Sequence, residues 1–202
     1  MRDKNGQIIE STDGTYDSKT KIFTFDKNVN MFTDSVFVKT SSLVYRSKED
    51  VAEFDYGVDA WQDENMLSSS KGKYDRGNEL FFFSDDVHGL SDVQEAWADT
   101  MYFHKLTNDL ELYGNVQLTD DSRKVSGLSG NAFYQDSLAT VTMNIDATVI
   151  AEVSDSTDVR DTIYFAADRI VYQTIRKCDI DEAEIATSAK RLSDLDIDPV
   201  SE

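Results

Sequence analysis

The sequence predicts an all-β repeat protein built from antiparallel strands. Related apolar segments recur every 29 residues, among them 22–29, 51–58 and 80–87. Within each segment every second residue is apolar, which is the pattern of a strand with one buried face and one solvated face. Polar turn residues separate the segments. Because the copies stay in phase, we expect the repeats to stack in register and to enclose a long interior between two walls.

Three apolar columns, with one residue from each repeat, define the predicted interior. They are Phe23, Ala52, Phe81, Leu110 and Ala139; Phe25, Phe54, Phe83, Leu112 and Val141; and Val29, Val58, Val87, Val116 and Ile145. A slip of one residue would turn these side chains outward, so the register should be strongly specified. In the fifth repeat the strict period selects Ile145, and a shifted register that uses Ala147-Thr148-Val149 is the alternative.

An aspartate recurs at one predicted turn of each of four repeats. These residues are Asp34, Asp63, Asp92 and Asp121. Stacked carboxylates could bind Ca²⁺, which prefers several oxygen ligands. Aspartate is also a common turn residue, because its side chain accepts hydrogen bonds from nearby backbone groups. We predict the turn role, since the chain has no calcium-binding nonapeptide of the GGxGxD type.

The composition argues against several functional classes. The net charge is −19, whereas nucleic-acid-binding proteins need a cationic face. Cys178 is the single cysteine and cannot form an intramolecular disulfide. His88 and His104 lie in different repeats, and no GxSxG, HExxH, P-loop or paired CxxC motif occurs. The sequence therefore predicts a protein that is not an enzyme, needs no cofactor or metal and does not bind nucleic acid.

The last part of the chain differs from the repeats. We predict a repeat domain at 1–176 and an acidic tail at 177–202 that is either helical or disordered. Residues 154–160 are expected to form an exposed loop before the last strand. The first ten residues contain no apolar signal core, which fits a mature or excised fragment of a longer, exported protein.

The repeating unit resembles that of the OstA-like proteins, which include LptA, LptC and the N-terminal domain of LptD. Its pattern is (A)D-x-x-x-Y-(D), followed by GNV-x-(L)-x-D. The clearest copies are SSLVYRSKEDVAEFDYGVDAWQD, ADTMYFHKLTNDLELYGNVQLTDD and AADRIVYQT. The resemblance covers roughly residues 11–173. These proteins take part in lipopolysaccharide transport.

The resemblance implies a V-shaped β-jelly roll, or β-taco, whose interior takes the acyl chains of lipopolysaccharide or another lipid. The residues expected to line this groove are Phe23, Phe25, Phe32, Phe54, Trp61, Phe81, Phe83, Leu90, Leu110 and Leu112. Such modules join end to end by pairing their edge strands. The two edges are expected at Ile22, Phe23 and Phe25, and at Ile163, Phe165 and Val171.

Two functions are consistent with these patterns. The first is a lipid-binding and bridging module in the periplasm of a Gram-negative bacterium, with association to the outer membrane as the finer expectation. Its partners would be the lipid and other OstA-like modules. The alternative is a structural or adhesive β-solenoid with a closed core and no lipid ligand.

Overall fold

The computed structural model describes residues 1–2, 6–154, 160–173, 175 and 177–197. The chain divides into two compact units, Met1–Tyr172 and Gln173–Glu202. The first unit is a single antiparallel sheet of 13 strands, and the second contains one α-helix. The predicted all-β antiparallel class is therefore confirmed.

The strands follow one another along the sheet with few exceptions. They are β1 (Ile8–Glu10), β2 (Asp13–Asp17), β3 (Ile22–Phe32), β4 (Phe37–Arg46), β5 (Val51–Gln62), β6 (Asn65–Ser69), β7 (Lys71–Asp75), β8 (Leu80–Leu90), β9 (Gln94–His104), β10 (Asp109–Asp120), β11 (Val125–Gln135), β12 (Thr140–Ser154) and β13 (Arg160–Gln173). The order is β1-β3-β4-β5-β6-β8-β9-β10-β11-β12-β13, with β2 beside β3 and β7 between β5 and β8.

The long strands bend at pairs of consecutive residues with positive φ. The pairs are Lys27-Asn28, Tyr56-Gly57, Asp85-Asp86, Gly114-Asn115 and Ile145-Asp146. Cross-strand pairing shifts its register at these positions. Two successive residues in the left-handed conformation interrupt the extended backbone and change the direction of the strand, as in a β-bulge. We name this line of bends the corner.

The corner divides the sheet into two walls that share one apolar core. Wall 1 consists of residues 22–26, 42–46, 51–55, 71–75, 80–84, 100–104, 109–113, 131–135 and 140–144. Wall 2 consists of residues 29–32, 37–40, 58–62, 65–69, 87–90, 94–98, 116–120, 125–128 and 147–151. The turns at the far end of each wall form its rim, and the gap between the two rims is the mouth.

Next to the corner the interior is filled by the protein's own side chains. Wall 2 contributes Val29, Val58, Val87, Val116 and Ala147, none of which is more than 2% exposed. Wall 1 contributes a cross-strand row made of Phe25, Leu43, Phe54, Gly72, Phe83, Met101, Leu112, Ala132 and Met143. The sheet is thus closed along its corner through the whole stack of long strands.

The core columns move by two residues in the fifth repeat. The cause is the hairpin between β10 and β11. Its paired residues next to the corner, Val116 and Ser129, are two residues further apart in sequence than the equivalent pair of β8 and β9, Val87 and Ala98. The prediction that placed Ala139 and Ile145 in the core is wrong, because Ala139 lies in a turn and Ile145 is 58% exposed at the corner. Met143 occupies the row predicted for Val141. The alternative register is confirmed, since Ala147 is fully buried.

The second unit contains α1 (Glu182–Ile197). Asp181 caps its first turn, where Oδ1 accepts a hydrogen bond from the backbone N–H of Ala183 at 3.0 Å. Glu182 and Glu184 suit the positive end of the helix dipole. The tail was predicted to be either helical or disordered, and residues 182–197 of it form a helix.

Two sequence predictions about this end of the chain stay predictions. The proposed boundary between 176 and 177 is not tested, and most of the loop expected at 154–160 lies outside the described residues. Among the described residues, no helix combines the length and the apolar character that a membrane span requires.

Candidate functional site

The candidate site is the part of the interior that lies towards the mouth, and its burial changes along the stack. In the N-terminal half, Met31, Val38, Tyr74 and Phe81 are at most 2% exposed. The partly buried side chains that pack against the core include Phe23 and Leu67 in this half. In the C-terminal half they are more numerous, and they include Phe103, Leu110, Leu118, Val141 and Val149. The interior is therefore largely sealed in the first half and reaches solvent at more positions in the second.

Three polar contacts join the rim of wall 1 to the rim of wall 2 in the N-terminal half. They are the hydrogen bond from Arg76 Nη1 to Gln7 Oε1 (3.3 Å), the ion pair between Lys105 Nζ and Asp34 Oδ1 (2.5 Å) and the hydrogen bond from Gln62 Nε2 to Asn108 Oδ1 (3.3 Å). We name them the rim contacts. Each one connects residues that are distant in sequence, so each contributes to the closure of the sheet.

Lys105 is the centre of a charged cluster at the mouth. Its side chain is 8% exposed, and Nζ also pairs with Glu79 Oε2 at 2.8 Å. The hydroxyl of Tyr74 donates to the same oxygen at 2.7 Å. Burial lowers the pKa of Lys105, but its hydrogen bonds to Asp34 and Glu79 outweigh burial and raise the pKa above its ordinary value. The hydrogen bond from Lys105 in turn holds the pKa of Asp34 below its ordinary value.

The sequence did not predict this cluster. It placed Asp34 in a turn, which is where the residue lies, but it offered no partner for the carboxylate. The other recurring aspartates, Asp63, Asp92 and Asp121, also lie between strands at the rim of wall 2. Within the described residues, no group of three or more His, Cys, Asp or Glu side chains is arranged to hold a metal ion.

Most residues predicted to line the groove point into the core. Phe25, Phe54, Phe81, Phe83 and Leu112 are buried in the interior, and Phe23 and Leu110 are partly buried against it. The stack therefore brings the Phe and Leu columns together, as the repeat period indicated.

Phe32, Trp61 and Leu90 do not line the groove, although the sequence analysis placed them there. The side chains of Met31 and Ala60 are buried in the core, so the next residue of each strand, Phe32 or Trp61, points to the opposite face of wall 2. Phe32 and Leu90 are 37% and 41% exposed on that outward face. The prediction is wrong for these three residues, and a count of the alternation from the corner along each strand would have corrected it.

The predicted N-terminal edge of the sheet is also wrong. Ile22, Phe23 and Phe25 belong to β3, which pairs with β4 on one side and with β1 and β2 on the other. The true edge on that side is formed by β1 and β2, whose segments are too short to show a clear alternation. At the other end β13 is last in the strand order, and its Ile163 and Phe165 are 39% and 54% exposed.

Comparison with known proteins gives a match in the first part of the chain. Residues 3–95 match the family model described as OstA-like protein. The match confirms the resemblance that the repeat pattern predicted, and the matched region ends within β9. Among curated proteins, none matches the sequence.

One solved structure similar to this chain is that of LptH from Pseudomonas aeruginosa. LptH is described as the LptA-homologous periplasmic component of the lipopolysaccharide transport device. The two chains are 12% identical, and the alignment covers 79% of this chain and 95% of LptH with a TM-score of 0.31. At a TM-score this low, the similarity carries no weight for the function.

Proposed function

We propose that the protein is a non-catalytic, periplasmic module that binds lipid acyl chains and bridges to other OstA-like modules in lipopolysaccharide transport. The observation that carries the proposal is the apolar interior between the two walls, which is largely sealed in the N-terminal half and more exposed in the C-terminal half. The OstA-like match supports the functional class. The charge of −19 favours a binding mode in which an anionic head group stays outside the walls.

The lipid chain would be held by area and shape. Each buried methylene group contributes about 0.8 kcal/mol, so about ten of them offer roughly 8 kcal/mol before the costs of binding are subtracted. The proposed contacts are Phe103, Leu110, Leu118, Val141 and Val149, because these apolar side chains already pack against the core and retain exposed surface. These side chains carry no polar group, so selectivity between lipids would come from the length and the cross-section of the acyl chain.

The first prediction tests this interior with two substitutions on β10. Leu118 points inward, because a Cβ on its cross-strand neighbour Gly127 would meet both Leu118 and the core residue Met143. Gln117 is exposed on the opposite face of the same strand. We expect Leu118→Asp to weaken the binding of a long-chain lipid about tenfold or more, which corresponds to about 1.4 kcal/mol, because the new carboxylate would lie beside the chain. Gln117→Asp should leave binding unchanged.

The measurement is a lipid titration, preceded by mass spectrometry of lipid that copurifies with the native protein. Native tryptophan fluorescence should respond little, because Trp61 and Trp97 both lie on the outward face of wall 2, where Trp97 stacks on His88. A Leu110→Trp variant supplies a reporter inside the walls. Far-UV circular dichroism checks that each variant folds. If no lipid copurifies and none binds to the folded protein, the closed-core structural solenoid is the function that remains.

A further inference from the structure

The ion pair between Asp34 and Lys105 connects the two walls at their far ends. Asp34 lies in the turn between β3 and β4, and Lys105 lies in the turn between β9 and β10. Each turn is held by bonds of its own. The N–H of Lys105 donates to the carbonyl of Glu79 at 3.0 Å, and the N–H of Val36 donates to the hydroxyl of Thr33 at 2.8 Å. One side-chain contact therefore links two ordered turns across the mouth.

The three rim contacts follow the same order along both rims. On wall 2 they involve Gln7, Asp34 and Gln62, and on wall 1 they involve Arg76, Lys105 and Asn108. They therefore form a continuous seam, with the ion pair in its middle.

Burial of the interior changes next to this seam. Phe81 on β8 is fully buried, whereas Phe103 on β9 and Leu110 on β10 are only partly buried. The turn that carries Lys105 directly joins β9 to β10. On wall 1 the change from buried to partly buried residues thus lies beside the turn that carries Lys105. On wall 2 the change lies between Ala60 and its cross-strand neighbour Leu67.

The environment of Lys105 makes this contact harder to open than an ordinary surface ion pair. Its side chain is 8% exposed and lies between Asp34 and Glu79, whereas Lys71, which pairs with Asp85 at the corner, is 58% exposed. When the pair opens, Lys105 keeps Glu79 as a partner and Asp34, whose side chain is 77% exposed, stays in solvent. The resistance to opening therefore comes from the buried position of the ammonium group, where salt screens the attraction to Asp34 weakly.

We infer that the Asp34–Lys105 pair is a latch that holds the N-terminal half of the mouth shut and restricts lipid chains to the C-terminal half. The choice of ligand rests on the proposed lipid-binding function, whereas the latch itself is a property of the sheet that exists without ligand. A chain long enough to extend into the N-terminal half must part the rims. Its apparent affinity is then reduced by the small fraction of molecules in which the latch is open. By reciprocity, such a chain weakens the latch when it binds.

The second prediction measures the latch without any lipid. Spin labels are attached at Ser35→Cys and Leu106→Cys, which are exposed neighbours of the two latch residues, in a chain whose exposed Cys178 is replaced by serine. Pulsed electron spin resonance then reports the distance between the rims. We expect Lys105→Met and Asp34→Asn to lengthen and broaden this distance. Lys71→Met removes an ion pair of similar length at the corner and should leave the distance unchanged.

The same variants are then titrated with palmitoyl lysophosphatidylcholine, whose zwitterionic head group is insensitive to the charge changes. Lys105→Met and Asp34→Asn should bind it about fivefold or more tightly than the parent protein, because the open fraction rises. Unchanged rim distances in both folded latch variants would overturn the latch. Altered distances with equal lipid affinity in all variants would overturn its role in directing the chain. Altered distances without lipid binding in any variant would support the latch and refute the proposed function.

Discussion

Single side chains decide how closely the two walls pack. Gly72 lies between Phe54 and Phe83 in the wall 1 row, and a Cβ at this position would lie 3.2 Å from the first ring and 3.1 Å from the second. The glycine therefore makes room for two aromatic rings on neighbouring strands. Glu53, which directly precedes Phe54 on β5, points to the outward face and pairs with Arg46 in a solvated ion pair.

The third prediction compares these two faces at adjacent positions. Phe54 is 1% exposed, so Phe54→Ala should lower the free energy of unfolding by about 3–5 kcal/mol through lost burial and a new cavity. Glu53→Ala should change it little, because a solvated ion pair contributes little to stability. Chemical denaturation of both variants provides the comparison. Equal losses of stability would contradict the assignment of Phe54 to the interior.

At the scale of the element, each long strand serves both walls because it bends at the corner. The bend is placed just before the buried residue of the third column, as in Tyr56-Gly57 before Val58 and Gly114-Asn115 before Val116. Glycine, asparagine and aspartate tolerate positive φ, which explains their frequency there. Lys27, Tyr56 and Ile145 are the exceptions at the corner, and Ile145 is the β-branched residue among them, for which this conformation is strained.

The fourth prediction tests the corner through backbone strain. Ile145→Gly should raise the free energy of unfolding by about 1 kcal/mol, because it removes the strain of a left-handed β-branched residue. Gly57→Ala should lower it by a similar amount, about 1 kcal/mol, although a Cβ at Gly57 would meet no atom within 4 Å. Thermal and chemical unfolding measure both. A loss of stability in Ile145→Gly would mean that the contact of Ile145 with Gly130 outweighs the strain.

At the scale of the molecule, the first unit is a stack of strands with two unlike edges. β1 and β2 form one edge, and β2 is exposed along its whole length. β13 lies at the other end of the strand order and exposes Ile163, Phe165 and Val171. An uncovered edge strand is a template for another chain, and pairing between unlike edges gives open filaments. This geometry supports the proposed end-to-end bridging.

The fifth prediction tests that assembly. The protein should form oligomers whose size rises with concentration in sedimentation experiments. Val171→Lys should weaken them, because a charged side chain on an edge strand opposes pairing with another sheet. Ile185→Lys on α1 is the matched control, since Ile185 is 52% exposed and Val171 is 54% exposed. A parent protein that stays monomeric at high concentration would refute the bridging proposal.

The sequence by itself determined the fold class and most of the interior. Its period and alternation predicted antiparallel strands and buried positions for Phe25, Phe54, Phe81, Phe83 and Leu112, because backbone geometry allows a side chain only two faces on a strand. The repeat motif also predicted the OstA-like family match. Such patterns depend only on residues within one repeat, so they can be recognised without knowing which distant residues come into contact.

The tertiary structure alone decided which half of the mouth is sealed. Asp34 and Lys105 meet only after the sheet has bent at its corner and brought the two rims together. The tertiary structure also decided that β1 and β2 pair with the outer edge of β3. The longer hairpin between β10 and β11 then moved Ala147 into the place expected for Ile145. Such contacts depend on the summed bends and hairpin lengths of several repeats, so the pattern within a single repeat does not contain them.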